Sequence, residues 1–205
     1  VVVMPQGAPV AKVEATEALG AEVTLHGETV TEAVALAQEM AAERSLTFVH
    51  PFEDRDVICG QGTLGRELLE QIPDLGQVVV PVGGGGLIGG VAVAVKSARP
   101  RVRVIGVQVE RVASMAASLR DGRLVSVASG RTIADGIAVK APGTMTLALC
   151  EHWVDELITV TEEQVADALV LLMEKAKLVV EGAGAVSVAA LLAGAVGVVP
   201  GATSC

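Results

Sequence analysis

Short apolar runs alternate with longer amphipathic stretches along the chain. Val1–Met4 is wholly apolar, is closed by Pro5 and reads as a strand. Residues 11–19 carry a helical pattern that ends at Gly20, a residue suited to the left-handed cap. A strand is predicted over 21–25. A second helix is predicted over 31–44, where Val34, Leu36, Ala37 and Met40 lie near helical spacing, and a third strand over 46–49. The order strand, helix, strand, helix, strand implies parallel pairing with right-handed crossovers. His50 to Asp54 breaks the pattern and reads as a linker.

Beyond the linker, a helix is predicted over 62–71, an apolar strand over 78–82, a helix over 87–96 and a strand over 102–109. Residues 132–139 read as a loop containing Asp135-Gly136. A strand over 156–160 follows, then a helix running to about Lys177, whose start carries a capping box of Thr161 and Gln164. A final helix covers 183–192 and a strand is expected after it. Composition agrees with an α/β class. Half of the 205 residues are apolar but only Phe48, Phe52 and Trp153 are aromatic, so the core must be Val, Ala, Leu and Ile.

The formal net charge is −9 and no stripe of Lys and Arg is visible, which argues against a nucleic-acid surface. Cys59, Cys150 and Cys205 form no CxxC pair, so neither structural zinc nor a disulfide framework is expected, in keeping with a reducing cytoplasm. Residues 182–205 are uncharged, but five Gly and Pro residues interrupt them and only Leu191 and Leu192 are large. A buried helix and strand is expected there rather than a membrane span. The chain opens inside a strand at Val1-Val2-Val3, so it is expected to be a piece of a longer protein.

The strongest local signal is a buried strand running into Gly83-Gly84-Gly85-Gly86 and then into a helix at Leu87. Four glycines in a row cost conformational entropy. Without Cβ atoms, successive N–H groups can converge with the free amides and positive dipole end of the following helix. Such a cradle suits a phosphate. A tight turn that binds nothing is the other reading of the same residues. No Gly-Lys-Ser/Thr follows, so the loop is not a Walker A. Gly83, Gly85 and Gly90 only approximate GxGxxG, and Glu110 after the next strand keeps a dinucleotide site open.

The loop and many flanking segments resemble the fold-type II pyridoxal-phosphate enzymes, most closely the threonine/serine dehydratase group. The resemblance runs in order through Met4-Pro5, Lys12-Val13, Gly20-Ala21-Glu22-Val23, Phe48-Val49-His50-Pro51-Phe52 and Gly60-Gln61-Gly62-Thr63. It continues through Val80-Pro81-Val82 with the glycines, Ile105-Gly106-Val107-Gln108, Ile133 to Val139, and Glu181-Gly182-Ala183-Gly184-Ala185. It implies an incomplete fold of three-layer parallel sheets like the tryptophan synthase β subunit. Residues 1–49 would be the remnant of a small α/β domain, and 50–205 most of a large cofactor-binding domain.

The resemblance also implies that Gly83, Gly84, Gly85, Gly86 and Leu87 hold the phosphate of pyridoxal 5′-phosphate, and that Gly136 and Glu181 lie by its ring. Glu181 reads equally as a charge at the positive end of the next helix. Phe52 is either beside the cofactor or a core aromatic, and His50 either an acid/base group or a hydrogen-bonded histidine. Family members with a divalent-cation site carry Glu and Asp where this chain has Gln108 and Ser114, so no metal is expected. None of the five lysines, Lys12, Lys96, Lys140, Lys175 and Lys177, stands in the family's Ser-x-Lys-x-Arg setting, so no catalytic residue is assigned in this chain. The Schiff-base lysine and a Ser-Gly-Asn-His loop are expected upstream of Val1. A Ser-Gly-Gly-Asn loop is expected just beyond Ser204.

The implied reaction of the parent is β-elimination from L-threonine, giving 2-oxobutyrate and ammonia, with L-serine as a further substrate. The piece alone is expected to be inactive. A serine racemase or serine dehydratase, or a non-catalytic phosphate-binding regulatory module, are the alternatives. Isoleucine biosynthesis, a cytoplasmic setting, a homo-oligomer (dimer or tetramer) and exposed apolar sheet edges are further expectations.

Overall fold

The computed structural model describes residues 1–128, 130–197 and 199–205. The chain divides into two compact units, Val1–His50 and Pro51–Cys205. In the first, strands β1 (Val2–Met4) and β2 (Val23–Leu25) pair in parallel, with helices α1 (Val10–Ala18) and α2 (Val30–Glu43). Thr29 caps α2 by accepting the Glu32 N–H. The third strand predicted over 46–49 does not form. Leu46 and Val49 are exposed, and the Leu46 N–H bonds back to the Ala41 carbonyl instead of joining a ladder. A short apolar run predicts a strand only where a partner strand is available. Ala33 is the one buried residue of this unit, so its core is thin.

The second unit holds a four-stranded parallel sheet in the order β5-β4-β3-β6. Its strands are β3 (Leu75–Pro81), β4 (Arg103–Val109), β5 (Glu156–Val160) and β6 (Thr203–Ser204). Along β3, Val78 and Val80 face one side and Val79 the other, as a strand's period of two requires. On the first side they meet α4 (Gly86–Ala98), backed by α3 (Arg55–Gln71) and α6 (Thr144–Trp153). On the other lie α7 (Glu162–Leu171) and α8 (Gly182–Leu192). The unit is therefore a three-layer α/β/α stack buried on both sheet faces, which is why its strands read as continuous Val and Ile.

Three helical features depart from the sequence pattern. Helix α3 starts at Arg55, seven residues before the predicted Gly62, because the Asp54 carboxylate accepts the N–H groups of Asp56 and Val57. Gly62 and Gly65 face α4. A Cβ on Gly62 would sit 3.1 Å from the Gly90 carbonyl oxygen, and one on Gly65 3.0 Å from that of Val91. Helices α5 (Ser114–Asp121) and α6 were not predicted. Helix α7 passes into a π-helical turn, Leu172–Ala176, and ends at Lys177 with φ +59°. The capping box of Thr161 and Gln164 forms as predicted. The predicted C-terminal strand also forms, with β6 lying parallel to β3.

Candidate functional site

The site is built at the carboxyl end of β3. The sheet order reverses there, because the chain passes from β3 to β4 and β5 on one side and returns as β6 on the other. Crevices outside such switch points are where open α/β sheets take ligands. Residues 82–85 connect β3 to α4. The first intrahelical bond of α4 runs from the Gly89 N–H to the Gly85 carbonyl at 2.9 Å. The amides of Gly86, Leu87 and Ile88 therefore precede any intrahelical acceptor, at the positive end of the helix. Gly84, Gly85, Gly86 and Ile88 are buried and Leu87 is half-buried.

Packing gives each glycine of the loop its own reason, independent of any ligand. Gly85 has φ +97°, the left-handed region that side chains rarely adopt. A Cβ on it would sit 2.5 Å from the Met115 Cε and 2.9 Å from the Thr146 Cβ. A Cβ on Gly84 would enter the Phe52 ring, and one on Gly86 would lie 3.0 Å from the Phe52 Cβ. A Cβ on Gly83 would lie 3.1 Å from the Ile137 Cα. Phe52 is thus a packing partner of the loop. Four glycines therefore do not by themselves require a ligand, while the amides at the helix start remain without an intrahelical acceptor.

Two buried side chains grip the loop. Thr146, in the first turn of α6, donates its hydroxyl to the Gly84 carbonyl at 2.7 Å and accepts the Gly143 N–H at 3.0 Å. The start of α6 is itself held by the Glu53 carboxylate, which accepts the N–H groups of Met145 at 2.6 Å and Thr146 at 3.2 Å. Gln108 is fully buried near the end of β4. Its Nε2 donates to the Val82 carbonyl at 3.1 Å and its Oε1 accepts the Ala116 N–H at 2.9 Å. The Ser114 hydroxyl donates to the Val139 carbonyl at 2.7 Å, which ties α5 to the segment after Asp135-Gly136. So Gln108 and Ser114 spend their polar atoms on the backbone.

That segment completes the site. A 3₁₀ turn, Asp135–Ile137, lies with Ile137 against Gly83 on one side. On the other side, a Cβ on Gly136 would lie 3.2 Å from both the Glu181 Oε1 and the Ala183 Cβ. Gly182 is required because a Cβ there would strike the Ile133 carbonyl oxygen. Residues 83–87, Gly136 and Glu181, separated by up to 98 positions, are therefore joined through one set of contacts. Glu181 is exposed and is the residue preceding α8, so both sequence readings of it share one place. Sequence reasoning missed Thr146 as a site residue. The signal was Gly143 followed three residues later by a side chain able to bond back to its N–H.

A chain of buried amides at the end of a strand fits a phosphate, and the sequence decides which kind. The family model described as "Pyridoxal-phosphate dependent enzyme" matches residues 1–204. The chain belongs to this family. It is 54% identical over 191 residues to the L-threonine ammonia-lyase of Thermotoga maritima, covering 93% of this chain and 48% of that protein. It is 45% identical over 193 residues to the catabolic L-threonine dehydratase of Escherichia coli K12, covering 94% of this chain and 59% of the relative. The chain thus spans about half the length of the curated relatives it matches. The structure of maize serine racemase superposes with a TM-score of 0.87 at 33% identity, over 93% of this chain and 57% of that one. The α/β architecture is accordingly that of the fold-type II enzymes of this family.

Proposed function

We propose that the protein acts as a threonine ammonia-lyase, eliminating the β-hydroxyl of L-threonine to give 2-oxobutyrate and ammonia, with L-serine as a second substrate. The observation that carries the reading is the 54% identity to a threonine ammonia-lyase, against 33% to the serine racemase. The buried amides at the start of α4 supply a fitting anion site.

In this reading the backbone amides of Gly83, Gly84, Gly85, Gly86 and Leu87 hold the phosphate of pyridoxal 5′-phosphate. The helix start lends its positive end, and no proton need move on binding. Gly136 presents a side-chain-free face to the ring, and Glu181 beside it offers a carboxylate. When bound, the cofactor supplies the electron sink for breaking the Cα–H bond. This chain's share is to fix the phosphate end and so the direction in which the ring lies. The lysine that carries the cofactor is not proposed among the five present. Lys96 pairs with Asp155 at 2.6 Å, and Lys177 donates to the Glu174 carbonyl.

Residues 1–49 are proposed to be part of a small domain and 50–205 most of the cofactor domain. A homo-oligomer is also proposed, supported by an apolar groove of about 500 Å³ lined by Ile58, Cys59, Val93, Ala94 and Leu149. No helix among the described residues is long and apolar enough to cross a membrane. A cytoplasmic enzyme acting on a small amino acid is the corresponding proposal. The name of the Escherichia coli relative favours threonine breakdown over isoleucine biosynthesis.

The test is direct. The full-length protein, loaded with pyridoxal 5′-phosphate, should convert L-threonine to 2-oxobutyrate faster than it converts L-serine. The 205 residues alone should form none. Racemisation of serine outpacing elimination from threonine would overturn the assignment.

A further inference from the structure

The carbonyls of Val82 and Gly84 are each gripped by a buried side chain from a different element. Gln108 reaches Val82 from β4, and Thr146 reaches Gly84 from α6. Both residues are fully buried, so neither bond is exchanged freely with water. A trans peptide unit is planar, with its C=O and the next N–H pointing in opposite directions. Holding the Val82 carbonyl therefore aims the Gly83 N–H away from Gln108. Holding the Gly84 carbonyl aims the Gly85 N–H away from Thr146.

The bonding leaves little choice of state. The Thr146 hydroxyl has one proton and two carbonyls in reach, Gly84 at 2.7 Å and Gly143 at 3.2 Å, and the shorter contact takes it. Its lone pair receives the Gly143 N–H. Flipping the Gln108 amide would set oxygen against the Val82 carbonyl and NH₂ against the Ala116 N–H, so its orientation is fixed. Glycines at 83 and 85 would otherwise let these peptides rotate. The side chains that remove that freedom lie 22 or more positions from the loop.

We propose that Gln108 and Thr146 are positioning residues that set the anion affinity of the glycine loop by fixing the directions of the Gly83 and Gly85 amides, without touching the ligand. The proposal rests on the reading of this loop as the phosphate holder. It adds two donors to those of the α4 start, and it makes the cradle preorganised rather than formed on binding.

The experiment is an amide NMR titration of the chain with inorganic phosphate and, separately, with pyridoxine 5′-phosphate, which carries no aldehyde to react with lysines. In the unaltered chain the Gly83 and Gly85 amide protons should move downfield together with those of Gly86 and Leu87. Thr146→Val and Gln108→Glu should each weaken binding about tenfold, the scale of one lost buried hydrogen bond. Thr146→Ser, which keeps the donor, should bind within about twofold of the parent. Thr161→Ala, which uncaps α7 away from the loop, should lose stability and keep the affinity. If Thr146→Val does not fold, the shift pattern of the unaltered chain and Thr146→Ser still decide. Shifts confined to Gly86–Ile88, or Gln108→Glu and Thr146→Val binding like the parent, overturn the positioning role and leave the phosphate reading standing. No saturable shift anywhere in residues 83–88 overturns the phosphate reading, and the positioning role with it.

Discussion

The ring of Phe52 fills the space that a side chain on Gly84 would occupy. The contact joins a residue three positions before α3 to the loop before α4. Gly84→Ala should destabilise the second unit by about 1–3 kcal/mol through overpacking. Urea unfolding would measure it. Gly84→Ala combined with Phe52→Leu should recover part of the loss, because the smaller side chain makes room for the methyl group.

Gly85→Ala meets a different obstacle. Its φ of +97° costs an L-residue roughly 1–2 kcal/mol before any contact is counted. Met115 and Thr146 crowd the same position. Met115→Ala should therefore not rescue Gly85→Ala, because the backbone strain remains. Comparison of the single and double variants by thermal unfolding separates strain from contact.

The Glu53 carboxylate sits on the first-turn amides of α6. Glu53→Ala should cost about 1–2 kcal/mol, the range of a lost helix cap. Glu53→Gln keeps an acceptor and loses the charge that favours a helix start, so a smaller loss is expected. Urea midpoints of the two variants check this, and a Glu53→Gln variant as stable as the parent would show that Glu53 acts by filling space and accepting hydrogen bonds, not by its charge.

Burial, with a smaller contribution from the Glu151 charge, pushes the Cys150 thiol up to about 12. The folded chain keeps this proton where the unfolded chain, with a thiol near the ordinary value of 9.0, gives it up. Unfolding then releases a proton, and stability falls as pH rises from about 9 towards 12. Cys150→Ala should flatten that alkaline decline in a pH series of urea melts. In native buffer at pH 8, a thiol reagent should modify the exposed Cys59 and Cys205 and spare Cys150 until the chain unfolds.

Much of the second unit was legible in the sequence because buried parallel strands are written as unbroken apolar runs. Val78 to Val82 and Val102 to Val109 could be read from composition alone, and the Thr161 capping box marked the start of α7. The third strand of the first unit failed for the converse reason. Leu46 and Val49 carry the composition of a strand, but a strand is a relation between two segments. The last ten residues of α3 were read from the pattern, but its start at Arg55 was not, and Gly62 and Gly65, whose absence of side chains serves the approach of α4, weaken the local helical signal. Helix α6 was hidden because the carboxylate that starts it, on Glu53, lies 92 positions away from Met145.

The sequence by itself determined the α/β class, the strand–glycine–helix loop and, through 98 positions of ordered motifs, the residues to seek at the site. The tertiary structure decided what each glycine is for and which side chains hold the loop. It placed Phe52 on Gly84, Ile137 on Gly83 and Gly136 beside Glu181. It also brought Gln108 and Thr146 to the two carbonyls whose directions set the amides. Local pattern reports the propensity of a segment. The aim of a peptide plane depends on donors delivered by other elements, and these are neighbours only after the chain has folded.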